Sequence, residues 1–288
     1  MKLALRLARK GQGYTSPNPM VGAILVKNNR IIGQGYHRYC GTEHAEVNAI
    51  RNAGSNSAGA TLYVTLEPCC HHGQTPPCTE IIIKNKIARV VVGSIDTNPL
   101  VSCRGINLLR ASGIEVKSGV MENECRLLNE IFFHYMETGL PFITLKYAQT
   151  IDGRIATATG DSKWVSSNKS LVFTHKLRAQ HDAILVGINT VMKDNPELTV
   201  RNVRGRNPVR VIVDANLIIS RRAKVLQNLD KAGTLIATTK KTTNSDFKKI
   251  AASGAVVLTC RATNTGRVDL KDLFKKLAGL NITSVLIE

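Results

Sequence analysis

The chain has 288 residues, 43% hydrophobic and 21% charged, which suffices for a sizeable core, exceeds the usual single domain, and excludes the disordered and collagen-like classes. Lys and Arg number 39 against 21 Asp and Glu, a net charge of +18; such a field attracts anions, and nucleic acid, acidic lipid and phosphorylated small molecules all qualify. No run approaches the length of a membrane span. Residues 1–10, broken by Arg6 and Arg9, read as an amphipathic helix with Leu3, Ala4, Leu7 and Ala8 inward rather than as a signal peptide. Seven cysteines, unevenly spaced, point to a reducing cytoplasm and to metal or catalytic roles before disulfides.

In chain order, Val21–Val26 and Ile31–Gly33 flank a turn at Lys27–Arg30 and predict a hairpin. A helix over His44–Ala53 stops at Gly54. Thr61–Leu66 is a strand, Pro77–Lys86 a helix opened by proline, Ala88–Val92 a buried strand, Gly105–Ala111 a helix and Ile114–Lys117 extended. Met121–Met136 reads as one helix, stopped by Thr138-Gly-Leu-Pro141. A second series opens with Phe142–Ala148 and continues through strands at Ala183–Val186, Val209–Val213, Leu235–Thr238, Val256–Leu258 and Ile282–Ile287, with surface loops at Asn202–Asn207 and Lys240–Ser245. Strands alternating with helices predict an α/β layered fold in two domains, 1–140 and 141–288. No Gly-x-Gly-x-x-Gly opens a helix after a strand, so the standard dinucleotide fingerprint is absent. Glu288 ends an apolar strand, where a compact domain seldom stops; the second domain is therefore expected to be partial and the chain a fragment of a longer one.

The strongest chemical signal is His44-Ala45-Glu46, then Pro68-Cys69, then Cys78. One imidazole and two thiolates suit zinc and leave a fourth tetrahedral position for water, the arrangement of a catalytic site. His-x-Glu followed by a Pro-Cys and a further Cys is the layout of zinc deaminases, in which the Glu shuttles protons and is not a ligand. Such a site lowers the pKa of a bound water, which adds to the ring carbon bearing an exocyclic amine while Glu46 carries the proton to the ring nitrogen and departing ammonia. Cys70, His71 and His72, adjacent to Cys69, compete as ligands on composition alone, whereas Cys40, Cys103, Cys125 and Cys260 have no partner at metal spacing.

Eight residues separate Cys69 from Cys78, and the string Glu67-Pro-Cys-Cys-His-His-Gly-Gln-Thr-Pro-Pro-Cys78 resembles the deaminase half of the bifunctional riboflavin biosynthesis proteins, the diaminohydroxyphosphoribosylaminopyrimidine deaminase/reductases. Ser16-Pro-Asn-Pro-Met-Val-Gly22 and Gly41-Thr-Glu-His-Ala-Glu-Val47 are similar to the same family. The resemblance implies a cytidine-deaminase-like three-layer α/β/α domain with zinc on His44, Cys69 and Cys78, Glu46 as the catalytic proton shuttle, and Asn18 on the pyrimidine edge.

Phe142–Ala148 with Ile151–Ile155, Gly160–Trp164, Leu177–Gln180 and Thr190 with Asp194–Arg201 resemble the family's reductase half, a dihydrofolate-reductase-like α/β domain that takes NADPH. Carried over by position, Ala148, Trp164, Thr190 and Asp194 contact the cofactor, while Ser162, Arg178, Leu198, Arg201 and Glu288 hold the ribose-phosphate substrate, with Lys146 near the reacting sugar. Paired guanidinium groups suit a phosphate because their forked donors match its oxygens.

The implied function is riboflavin biosynthesis: zinc-dependent deamination of 2,5-diamino-6-ribosylamino-4(3H)-pyrimidinone 5′-phosphate, then NADPH-dependent reduction of the ribosyl group of 5-amino-6-(5-phosphoribosylamino)uracil to ribityl. The partners implied are small phosphorylated pyrimidines, with neither nucleic acid nor membrane, in a cytoplasmic homo-oligomer. The rival is a zinc deaminase editing tRNA adenosine, apt for the charge and the zinc motif; the eight-residue gap with His-His-Gly and the reductase-like second half separate the two.

Overall fold

The computed structural model describes residues 1–73, 75–98, 101–160, 165–240 and 245–288. The chain divides into two compact units, Met1–Gly139 and Leu140–Glu288.

The first unit runs α1 (Lys2–Ala8), β1 (Gly22–Lys27), β2 (Arg30–Tyr36), α2 (Ala45–Ala53), β3 (Thr61–Leu66), α3 (Cys78–Lys84), β4 (Arg89–Ser94), α4 (Arg104–Ala111), β5 (Glu115–Lys117), α5 (Glu122–Leu128) and α6 (Glu130–Thr138). Its sheet has the order β2-β1-β3-β4-β5, antiparallel across β2, β1 and β3 and parallel from β3 to β5. The hairpin turns on Asn28 and Asn29, both at positive φ (49° and 57°); that backbone twist matches the strands, and Asn tolerates it. Alternate residues face opposite sides of the sheet. Ala23, Leu25, Leu62, Val64, Val90 and Val92 pack under Ala49, Ile50 and Ala53 of α2, Ile82 of α3, and Ile106 and Leu109 of α4. On the other face Ile24 meets Ala4 and Leu7 of α1; Leu66, at the end of β3, packs with Phe132 and Phe133 of α6. The unit is thus three layers, α/β/α. At Gly35 of β2 a Cβ would lie 2.2 Å from the Ala45 carbonyl oxygen, so the bare backbone is what lets α2, and with it His44, sit against the sheet.

Two details differ from the sequence reading. In α1, Leu5 is buried along with Ala4, Leu7 and Ala8, while Leu3 is only half-buried. The expected single helix from Met121 to Met136 is two helices, broken at Asn129 (φ −111°, ψ 28°). The break has a tertiary cause: buried Asn129 accepts the Met20 N–H through Oδ1 (2.7 Å) and donates from Nδ2 to the Met20 carbonyl (2.9 Å). A side chain that completes a distant backbone's hydrogen bonds outweighs the helical periodicity.

The second unit runs β6 (Phe142–Leu145), α7 (Asn168–Gln180), β7 (Ala183–Gly187), α8 (Ile188–Asp194), β8 (Val209–Val213), β9 (Thr234–Thr238), α9 (Ser245–Ala251), β10 (Val256–Thr259), α10 (Leu270–Gly279) and β11 (Ser284–Ile287). All pairings in its six-stranded sheet, ordered β10-β9-β8-β7-β11-β6, are parallel. Its inner strands β7, β8 and β9 read as near-continuous apolar runs because both faces are covered. Ile184, Val186, Ile212 and Ile236 pack toward α8 and α9, whereas Ala183, Leu185, Val211, Leu235 and Ala237 pack toward Leu273 and Leu277 of α10. The strands expected after residue 180 are present with small shifts at their ends, and β6 stops short of Ala148. The sequence reading assigned no helix between β6 and β7; α7 lies there. Most of the expected Lys240–Ser245 loop falls outside the described residues.

Candidate active sites

The three expected zinc ligands come together at loop ends beside the first sheet. His44 is the N-cap of α2, Cys69 follows β3 through Pro68, and Cys78 opens α3 directly after Pro77. Their ligand atoms lie within 4.8 Å of one another, and this is the group among the described residues that brings three metal-ligating side chains together. The His44 Nδ1 is 3.2 Å from Cys78 Sγ and 3.5 Å from Cys69 Sγ, and the Cys78 backbone N–H donates to Cys69 Sγ at 3.3 Å. Two sulfurs and a ring nitrogen converging in this way fit a tetrahedral zinc with one position open. The His44 Nε2 faces away, 3.5 Å from the Thr75 hydroxyl, where an outer partner can hold the ring's tautomer.

The electrostatics follow from this crowding. The neighbouring Cys78 thiol, then His44, bring the Cys69 thiol down to about 4, while its own proton-sharing with Cys69 and its burial push Cys78 up. The Cys69 sulfur raises the His44 pKa above its ordinary value. Glu46, 3% exposed in the first turn of α2, has a carboxyl lifted to about 7 by burial. Cys70, by contrast, is half-buried with its thiol pushed up by desolvation, and it lies outside the triad.

The loop bearing Asn18 is held by a residue that the sequence reading passed over. The Asn18 Nδ2 lies 3.3 Å from the His37 Nε2, and the His37 Nδ1 lies 3.2 Å from the Glu43 carbonyl oxygen. A carbonyl can only accept, so Nδ1 carries the proton and Nε2 accepts from Asn18; burial lowers the His37 pKa and keeps the ring neutral. His37 also packs edge-on against His44, with ring centroids 5.3 Å apart. Only its sequence proximity to His44 hinted at this. Buried Glu67 anchors the Cys69 loop by accepting N–H groups from Asp96 (3.3 Å), Cys103 (3.0 Å) and Ile106 (3.2 Å) at the start of α4.

In the second unit two of the expected residues, Lys146 and Glu288, stand at the carboxyl ends of parallel strands, where open α/β sheets bind ligands. Glu288 follows β11 and donates its N–H to Leu185 O; Lys146 follows β6 and donates its N–H to Ile287 O. The Arg178 guanidinium is forked onto Glu288, Nε to Oε1 at 2.9 Å and Nη2 to Oε2 at 2.7 Å, with both side chains 12% exposed. Its Nη1 donates to the Thr199 carbonyl at 3.2 Å. Arg178, Leu198, Arg201 and Glu288 therefore belong to one neighbourhood, although in this state the Arg178 fork is engaged by a carboxylate. Arg201 is exposed and pairs with Glu197 at 3.0 Å. Thr190 and Asp194 are four apart on α8 and share a face. Gly187, at the end of β7, has open space where a Cβ would point. Ala148 is half-buried beyond β6, and Ser162 and Trp164 lie outside the described residues.

Residues 1–94 match the cytidine and deoxycytidylate deaminase zinc-binding region, and residues 141–288 match the RibD C-terminal domain. The riboflavin biosynthesis protein RibD of Aquifex aeolicus is 50% identical over all of this chain and 79% of its own length; that of Actinobacillus pleuropneumoniae is 45% identical over all of this chain and 76% of its own. Among solved structures, a diaminohydroxyphosphoribosylaminopyrimidine deaminase/5-amino-6-(5-phosphoribosylamino)uracil reductase of Thermotoga maritima superposes with a TM-score of 0.88 at 41% identity, covering all of this chain and 79% of that one. RibD of Acinetobacter baumannii gives 0.89 at 37% identity, covering all of this chain and 78% of that one. Fold and site together define a bifunctional enzyme, a zinc-dependent deaminase joined to an NADPH-dependent reductase. The chain belongs to the RibD family of riboflavin biosynthesis proteins.

Proposed function

We propose that the Met1–Gly139 unit deaminates 2,5-diamino-6-ribosylamino-4(3H)-pyrimidinone 5′-phosphate and that the Leu140–Glu288 unit reduces the ribosyl group of the product to ribityl. The observation that carries the reading is the convergence of His44, Cys69 and Cys78 beside a buried Glu46. His44, Cys69 and Cys78 hold the zinc, which when bound makes water a usable nucleophile near neutrality. Glu46, whose buried carboxyl is pushed up from the ordinary carboxylate range, accepts the proton from the attacking water and returns it to the ring nitrogen and the departing ammonia. Asn18, with its amide oriented by His37, holds the pyrimidine edge.

In the second unit NADPH supplies the hydride. Thr190 and Asp194, with Ala148 and Trp164, hold the cofactor, while Arg178, Arg201, Ser162 and Leu198 hold the phosphoribosyl group and Glu288 and Lys146 face the sugar. The two phosphorylated ligands account for part of the +18 charge. The same reading places the enzyme in the cytoplasm as a homo-oligomer acting on small molecules; among the described residues no helix is long and apolar enough to cross a membrane. An editing enzyme would have no use for the reductase unit, and the relatives span both units.

The test is Glu46→Gln, which keeps the shape of the pocket and removes the proton carrier. Zinc content should be unchanged and ammonia release from the diaminopyrimidine phosphate should fall at least about a hundredfold; release at the parent rate would refute the shuttle.

A further inference from the structure

The stretch from Asn195 to Pro208 joins α8 to β8 without regular secondary structure, and it carries Leu198 and Arg201. Two of its residues sit in the left-handed region, Asn195 at φ 41° and Leu198 at φ 55°. Asn adopts that conformation readily, whereas a leucine does so at a cost and persists there only when its surroundings over-determine it.

Here the surroundings do so almost residue by residue. The Asn195 Oδ1 accepts the Lys224 N–H (2.9 Å), and Arg210 donates to the Glu197 carbonyl (3.4 Å). Arg178 donates to the Thr199 carbonyl (3.2 Å), the Val200 N–H donates to Asn207 Oδ1 (2.7 Å), and the Arg201 N–H donates to His175 Nδ1 (3.2 Å). Buried Leu198, 3% exposed, plugs the loop into the core. His175 is 6% exposed and stands one turn before Arg178 on α7, so both side chains grip the loop from the same helix face. It is the last hold before the chain turns Arg201 out to solvent.

We propose that His175 is a positioning residue of the reductase site: by accepting the Arg201 backbone N–H it sets where the Arg201 guanidinium meets the substrate's phosphate. This rests on the reading of Arg201 as a phosphate ligand. The role requires an imidazole with Nδ1 free of a proton. The Arg201 N–H can only donate, which makes Nδ1 the acceptor, and burial, then the cations of Arg178 and Arg201, lower the pKa of His175 against the opposing Glu288 and a hydrogen bond to the Thr199 backbone, which favours the neutral ring. A histidine that merely filled space would be replaceable by any side chain of similar volume; one that acts as an acceptor is replaceable only by another acceptor.

The experiment compares His175→Phe, His175→Asn and Arg201→Ala in the full chain by steady-state NADPH oxidation with 5-amino-6-(5-phosphoribosylamino)uracil. His175→Phe fills the space without an acceptor; KM should rise about tenfold with kcat within about twofold. His175→Asn, whose Oδ1 takes over from Nδ1, should stay within about threefold of the parent KM. Amide hydrogen exchange at Arg201 should accelerate in the Phe variant and not in the Asn variant. Should His175→Phe not fold, His175→Leu removes the same acceptor. If Arg201→Ala raises KM while the Phe variant matches the parent, or if Asn loses as much as Phe, the positioning role is overturned and the phosphate reading stands. If Arg201→Ala leaves KM unchanged, both fall.

Discussion

Replacing Asn129 by Ala tests whether a side chain between two helices holds the deaminase loop in place. Asn129 is 3% exposed and satisfies both backbone groups of Met20, at 2.7 and 2.9 Å. Ala leaves the Met20 N–H and carbonyl without those partners. An unmade buried hydrogen bond costs about 1–3 kcal/mol, and because Met20 is only half-buried the lower end applies to each, about 2–3 kcal/mol in all. For a unit of this size that corresponds to a fall in Tm of roughly 6–12 °C. Met20 is two residues beyond Asn18, so the same change should loosen the pyrimidine-edge contact and raise the KM for deamination with zinc still bound. Scanning calorimetry and ammonia-release kinetics read the two effects. A variant that melts within about 2 °C of the parent would show that the break at Asn129 is a local helix defect and not a tie to the loop.

Two further predictions concern charge and metal. In the zinc-free protein, mild alkylation near pH 6 followed by peptide mapping should label Cys69 before Cys78, because Cys69 is half-buried with its thiol lowered to about 4 while Cys78 is fully buried and raised; restoring zinc should protect both, and equal labelling without zinc would contradict the coupling of the pair. Burial lifts the Asp96 carboxyl to about 6 from an ordinary 3.8, so the fold prefers its protonated form: that contribution is fully present below about pH 4 and is lost as pH rises through about 6. Above that the buried charge costs about 3 kcal/mol. Asp96→Asn, which keeps an acceptor for the Asn98 N–H now bonded at 2.8 Å, should therefore raise Tm at pH 8 and not at pH 4; an equal gain at both would refute the assignment.

How much of this was legible in the sequence varies by kind of signal. Strands β1, β3, β4, β7 and β8 announce themselves as short apolar runs because burial on one or both faces leaves no alternative composition. The ends of α2 were equally plain, with Gly54 stopping the helix that His44 caps. The candidate metal ligands were readable because a metal needs particular donor types, and those types at His44, Cys69 and Cys78 are rare in combination. By contrast, nothing local marked Asn129 as the end of α5: its helix-breaking role depends on Met20, a partner |i−j| = 109 away.

The same division separates site residues from the residues that hold them. His37 and His175 are ordinary single histidines in sequence; what gives each a role is a partner delivered by another segment, the Asn18 amide in one case and the Arg201 N–H in the other. The residue types and their spacing therefore determined the family, the zinc chemistry and the alternation of helices and strands, because donor identity and hydrophobic period are local properties. The tertiary structure decided which atom of His44 faces the sulfurs, that Arg178 lies forked on Glu288, and which groups orient Asn18 and Arg201, because hydrogen bonds between distant segments exist only once the chain has folded.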